Sequence, residues 1–400
     1  MLDIELTGYH TKSSITQDVF NRWGPYSAEI ESWGFDARNT SRIAAHEIVY
    51  GIEHRNDTVM SEYDEGTDLS YWAWDPEIGR FEEEGKVWGA YVQDHWQVTA
   101  PLLISVGARY DSYALDQVTY GDDTESDGFS GNAGLVYALT PDLAFSAGYA
   151  EAMRGKEVGD AFTLERRPGR ITLAPDLDAE RVGNAEAGLV YDNGTLRAGA
   201  SVYQMEIRDV IMDQLGGGPA PQDATYYENV GTLEAGGIEL RVGYSWDALR
   251  ADLFYTTYDS ELNGNTVEGY EQIGLANASG DAWNFSLGWT PVPDLELAWN
   301  LKHVQDLNDI VVLHRGVEIG WIDELQTVDK PGYTVNDIYL HWTPAEYDGF
   351  RLSFAVQNLF DVAYRDHASV ADYNHIPDWE GVAGVREAGR DVRLTVAYDF

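Results

Sequence analysis

Apolar and polar residues alternate with a period of two along almost the whole chain, and that pattern rules out most of what 400 residues could otherwise become. In "LLISVGARYD", Ile104, Val106, Ala108 and Tyr110 fall on one face and Ser105, Gly107, Arg109 and Asp111 on the other. In "AWNFSLGWT", Trp283, Phe285, Leu287 and Trp289 oppose Asn284, Ser286, Gly288 and Thr290. The last segment, "DVRLTVAYDF", sets Val392, Leu394, Val396, Tyr398 and Phe400 against Arg393, Thr395, Ala397 and Asp399. About 16 such segments can be read, from 2–14 to 389–400, so the pattern predicts an all-β, antiparallel protein.

The connections alternate in length. Short reversals fall near 43–45, 99–101, 140–142, 192–195, 246–248, 292–294 and 346–349, and all but the first contain Asn, Asp, Gly or Pro. Long connections are expected at 15–29, 60–86, 117–127, 156–179, 213–231, 263–279, 308–332 and 362–388. One trimmed end and one looped end predict a transmembrane antiparallel β-barrel with short periplasmic turns and long extracellular loops. A strand of about 10 residues tilted by about 45° rises about 23 Å, close to the height of the apolar band. A soluble barrel fits less well, because about eight strands already enclose a packed interior and 16 would leave a wide lumen. A propeller needs a repeat of about 40–50 residues, and no such self-similarity is visible.

Composition agrees. The 26 Lys and Arg against 68 Asp and Glu give a net charge of −42, which excludes a nucleic-acid partner because phosphate binding needs a basic surface. There is no cysteine, hence neither a disulfide framework nor a thiolate metal site. No run of about 18 apolar residues is present, which excludes a transmembrane helix but leaves interleaved barrel strands open. The 13 tryptophans and 25 tyrosines suit membrane interfaces. No linker-like stretch breaks the chain, so one domain over 1–400 is expected, and the opening "MLDIELTGYHTKSS" has no signal-peptide character.

Several ordered motifs resemble the barrel of TonB-dependent outer-membrane receptors. "VWGAYVQDHWQVTAPLLISVGARYDSY" at 87–113 is similar to their "YxQDxW", turn, "GxRYD" strand pair. "LDAERVGNAEAGLVYDNGTLRAGASVYQMEIRDVI" at 177–211 resembles another pair, with Glu180, Asn184, Glu186 and Gly188 at matching places. "VQNLFDVAY" at 356–364 resembles the "N-L-F-D" of the penultimate strand, and "GR" at 389–390 precedes the last. The resemblance implies a bacterial outer-membrane receptor that takes up a scarce ligand, a C-terminal barrel portion lacking the plug and the first six of 22 strands. It implies as partners outer-membrane lipid and lipopolysaccharide, the barrel-assembly machinery reading Tyr398 and Phe400, and the TonB complex where a plug and TonB box lie upstream. A passive plugless pore is the alternative.

No catalytic constellation is present, and an enzyme is not expected: the nine histidines are scattered, His303, His314, His341, His367 and His375 among them. Neither a cofactor nor a bound metal is expected. In 60–86, Tyr71, Trp72 and Trp74 offer flat contact area to a catecholate or haem-like ligand, and equally suit an interfacial girdle. Asp122, Asp123, Glu125 and Asp127 are oxygen ligands of the type hard cations take, but their spacing matches no EF-hand, and an acidic flexible loop is expected there. Haem receptors of the resembled family carry "FRAP" and "NPNL"-like motifs around a histidine. Here "AMRG" at 152–155 and "APDL" at 174–177 enclose no histidine, whereas Arg166, Arg167 and Arg170 suit an anionic ferric siderophore. The expected ligand is therefore a ferric siderophore or related iron complex, with haem as the alternative.

Overall fold

The structure, a computed structural model, describes residues 2–19, 24–63, 80–118, 122–157, 172–173, 177–213, 226–268, 277–318, 320 and 322–399. Sixteen long strands carry the fold: β1 Leu2–Val19, β2 Gly24–Ile43, β3 His46–Tyr63, β4 Arg80–Thr99, β5 Leu102–Gln117, β6 Asp122–Thr140, β7 Leu143–Arg154, β8 Glu180–Asp192, β9 Leu196–Arg208, β10 Leu233–Trp246, β11 Leu249–Thr256, β12 Ala282–Val292, β13 Leu295–Val304, β14 Tyr333–Trp342, β15 Phe350–Gln357 and β16 Asp391–Tyr398. Each expected segment is a strand. The only helix among the described residues is His314–Glu318, and no helix is long and apolar enough to cross a membrane.

Two compact units divide the chain. The first comprises 1–136, 148–185 and 206–233, and the second 137–147, 186–205 and 234–400. In the first, β1 to β5 form an antiparallel meander whose registers run without a break from Leu2↔Ser41 to Val19↔Gly24 and from Tyr26↔Tyr63 to Ile43↔His46. In the second, β10 to β16 form another meander, ending with Phe350↔Tyr398 and Gln357↔Asp391. The turn between β2 and β3 places Ala44 at φ 52°, a left-handed position that Gly, Asn or Asp occupies at lower cost.

Three expected loops are corrected. Residues 15–29 are mostly strand, since β1 and β2 pair up to Val19 and Gly24. β3 runs on to Tyr63 and β4 begins at Arg80, which shortens the 60–86 connection. Asp122, Asp123, Glu125 and Asp127 belong to β6, not to a flexible loop, and among the described residues no cluster of His, Asp or Glu could hold a metal. The physical reason is shared. Past the apolar stretch these strands are mostly polar on both faces, so the backbone ladder continues where hydrophobic alternation stops.

Faces sort by parity as the pattern predicts. The apolar faces are open to the surroundings: Leu6 is 76% exposed, Val106 46% and Leu394 65%. Aromatic rings border them. In the first unit Trp33, His54 and Trp88 form one row, with His54 stacked on Trp88 at 4.1 Å, and His46 stacks on Trp96 at 5.3 Å nearer the short turns. The second unit pairs Tyr255 with Trp283 at 4.3 Å and Trp342 with Phe350 at 6.0 Å. Such extended exposed apolar area is foreign to a water-soluble surface.

Buried core is instead found among the long connections of the second unit. Ile310, Val312, Leu313, Val328, Ala371, Tyr373 and Ile376 pack together, flanked by Ile322 and Trp379. Full burial of one Ile, Leu or Val is worth roughly 1.5–3 kcal/mol, enough to hold these connections as a folded platform.

Candidate functional site

Long side chains on the polar face of β1 to β5 lie over glycines of the neighbouring strand. A Cβ on Gly34 would meet the Tyr9 hydroxyl at 2.6 Å, and one on Gly51 the Tyr91 hydroxyl at 2.8 Å; Gly89 makes room for Arg109 in the same way. The backbone has to be bare there for the rings and guanidinium to lie flat. They are then tied by charge. Arg38 Nη2 donates to Glu5 at 2.6 Å, and the Tyr91 hydroxyl to Asp36 at 3.3 Å. Arg109 Nε donates to Asp111 at 2.7 Å while its Nη2 reaches Glu53. Nearer the long connections, Arg55 bridges Asp57 at 2.7 Å and Glu157 at 2.6 Å. Asp111 is buried, and Arg109 supplies the countercharge that burial of a carboxylate requires.

In the second unit the polar site lies at the long-connection end. A cavity of about 140 Å³ is lined by Lys330, Tyr364, Arg365, His367, Asp372 and Arg386, among others. Lys302 Nζ donates to Asp366 Oδ2 at 2.9 Å, and the Tyr333 hydroxyl donates to the same oxygen at 2.9 Å. Burial alone would raise the Asp366 carboxyl, but hydrogen bonds from Lys302, the Ala368 amide and Tyr333 outweigh it and hold it down to about 2. The buried Lys330 ammonium donates to the carbonyls of His367 at 2.8 Å and Ala278 at 3.4 Å, and burial pulls it below the usual lysine range. Glu268, buried as well, accepts from the Ala371 amide at 2.8 Å and from the Tyr373 hydroxyl.

His367 receives the Gly280 amide proton at Nδ1 (3.1 Å), so its own proton sits on Nε2 and is donated to the Pro331 carbonyl at 3.1 Å. Burial pushes this imidazole below the usual histidine range. Both ring nitrogens are spent on structure. His303 meets Thr334 Oγ1 at 2.8 Å and His341 meets Ser353 Oγ at 3.0 Å.

The expected ligand contacts Tyr71, Trp72, Trp74, Arg166, Arg167 and Arg170 lie outside the described residues, as does Phe400. Tyr398 is described: it is exposed on the apolar face of β16 and faces Phe350 across the ladder. Several sequence motifs prove to be corner devices. Glu180 accepts from the Ile211 amide at 2.8 Å and pairs with Arg154 of "AMRG" at 2.8 Å. Asn358 of "N-L-F-D", at φ 48°, exchanges hydrogen bonds of 2.8 Å with both backbone groups of Val362, and Asp361 caps the Arg390 amide at 2.8 Å. Sequence reasoning misses the platform cluster around Lys302, Lys330 and Glu268, because its members are scattered over several connections and strand ends and share no spacing.

Residues 3–359 match the family model for the TonB dependent receptor-like β-barrel. Among curated proteins, the chain is 24% identical over 412 residues to the heme transporter BhuA of Brucella abortus, covering 100% of this chain and 56% of that protein. It is 23% identical to the heme/hemopexin utilization protein C of Haemophilus influenzae, covering 92% of this chain and 50% of that one. The chain thus spans about half the length of the curated relatives it matches. Among solved structures, the FrpB iron transporter of Neisseria meningitidis superimposes with a TM-score of 0.79 at 22% identity, over 99% of this chain and 61% of that one.

Proposed function

We propose that this chain, which belongs to the TonB-dependent receptor β-barrel family, is the wall of an outer-membrane receptor that takes up an iron-containing ligand of the haem type. The observation that carries the ligand class is that relatives named a heme transporter and a heme/hemopexin utilization protein align along 100% and 92% of the chain. The faces support the membrane part of the reading. On β4, Trp88 and Trp96 stand eight positions apart, which at about 3.3 Å rise and about 40° tilt span about 20 Å, near the height of a lipid-facing band. Beyond Trp88 and His54 the strands run on for eight or nine residues with polar residues on both faces, as water on the outer side demands.

In this reading the polar faces with the Arg109 and Arg38 ion pairs line the water-filled interior, and the folded platform of the second unit stands on the extracellular side. The TonB complex energises uptake and the barrel-assembly machinery inserts the strands. The alternative is a ferric siderophore, favoured by Arg166, Arg167 and Arg170 in the sequence.

The test is competitive binding to the purified chain in detergent, read by quenching of its tryptophan fluorescence. Saturation by hemin at lower concentration than by a ferric catecholate supports the haem reading. Saturable binding of the catecholate with none of hemin overturns it.

A further inference from the structure

Haem iron is commonly held by a histidine nitrogen, and this chain has only nine histidines, all among the described residues. Their positions eliminate most of them. His10, His46, His54 and His303 lie on the apolar faces, His10 and His46 paired with Glu31 and Asp94, and His54 packed between Trp33 and Trp88. His95 and His341 sit on polar faces beside the short turns, at the opposite end from the long connections. His367 has both nitrogens committed, and His314 keeps its Nε2 shut off from solvent.

His375 is different. It is exposed, it lies in the connection between β15 and β16, and its Nε2 is 2.8 Å from the Thr327 carbonyl oxygen in the strand Gln326–Lys330. A carbonyl can only accept, so Nε2 carries the proton, and in the neutral ring Nδ1 is left with its lone pair. A histidine whose one nitrogen donates to a backbone carbonyl while the other is free is the arrangement that orients an imidazole for a metal. The neighbours fix it further: Tyr373 and Ile376 on either side are buried in the platform core, and the Ile376 amide bonds to the Tyr373 carbonyl at 2.9 Å. The ring is therefore held on a folded support.

We infer that His375 is an axial ligand for the iron of an incoming haem, binding through Nδ1. The inference rests on the haem reading of the preceding subsection. It is tested by titrating the full chain, wild type, His375→Ala, His375→Gly and His303→Ala, with ferric hemin, following the Soret band and electron paramagnetic resonance. The expected result is a histidine-ligated spectrum in the wild type and in His303→Ala, its loss in His375→Ala, and its return when imidazole is added to His375→Gly. Wild-type spectra in both His375 variants, or a loss that imidazole does not repair, overturn the assignment and leave the haem reading standing. A wild-type chain that binds no hemin overturns both.

Discussion

Lys302 at the end of β13 and Asp366 in the connection between β15 and β16 are joined by a 2.9 Å ion pair, 64 residues apart in sequence. With the Tyr333 hydroxyl on the same carboxylate oxygen, this contact ties the platform to the strands beneath it. Asp366→Asn should loosen 358–390 by about 1 kcal/mol, a modest figure because both partners are partly exposed to solvent. Hydrogen exchange of that segment is the measurement: faster exchange there, with β13 unchanged, is the expected outcome.

His367 predicts the platform's response to acid. Folded, the ring is neutral and held below its ordinary pKa; unfolded, it takes a proton below about pH 6.5. The stability it contributes is present above that pH and is lost as the pH falls toward the folded value. Protection of 358–390, taken relative to the intrinsic exchange rate at each pH, should therefore fall as the pH drops below about 6.5, and His367→Gln should flatten the change.

Arg109 stands between Glu53 and the buried Asp111 on the polar face of β5. Removing it leaves a carboxylate without its countercharge, so Arg109→Ala should cost roughly 2–4 kcal/mol. Gly89→Val fails for a different reason, by filling the space the guanidinium occupies. Both should lower the temperature at which the detergent-solubilised chain loses its heat-modifiable band, and Arg109→Lys should recover part of the loss.

A charge on the apolar face should be costly in a lipid-dependent way. Leu394→Arg is expected to cost about 2–4 kcal/mol in bilayers, while Thr395→Arg on the polar face of the same strand should be tolerated. Urea titration of both variants in phospholipid vesicles reads the difference.

How far the sequence can be read follows from which signal each part carries. Alternation exposes all sixteen strands, because lipid on one side and water on the other act on every second residue, as in Val392, Leu394 and Val396. It fails above the aromatic rows, where Lys12, Glu29, Glu31 and Glu84 are still in the ladder but no longer face lipid. The platform is invisible for another reason. Lys302, Glu268, Lys330 and Asp366 converge through tertiary packing alone, and a buried Lys or Glu looks no different in sequence from an exposed one. The motif residues Glu180, Asn358 and Asp361 are recognisable, and their geometry makes them corner braces. The arginines behind the siderophore expectation, Arg166, Arg167 and Arg170, lie outside the described residues, and the relatives named for heme move the proposed ligand from siderophore to haem.

The account stands on the claim that apolar faces meet lipid and polar faces meet water. The chain has no cysteine, so single cysteines can be placed cleanly at adjacent positions: Ile52 and Glu53, Trp88 and Val87, Leu394 and Thr395. In outer-membrane vesicles, the account predicts that the variants Ile52→Cys, Trp88→Cys and Leu394→Cys resist a water-soluble maleimide. Labelled instead with a membrane-permeant fluorophore, they should be quenched by a brominated lipid. The variants Glu53→Cys, Val87→Cys and Thr395→Cys should react with the maleimide and stay unquenched. Equal aqueous reactivity within every pair would contradict the account.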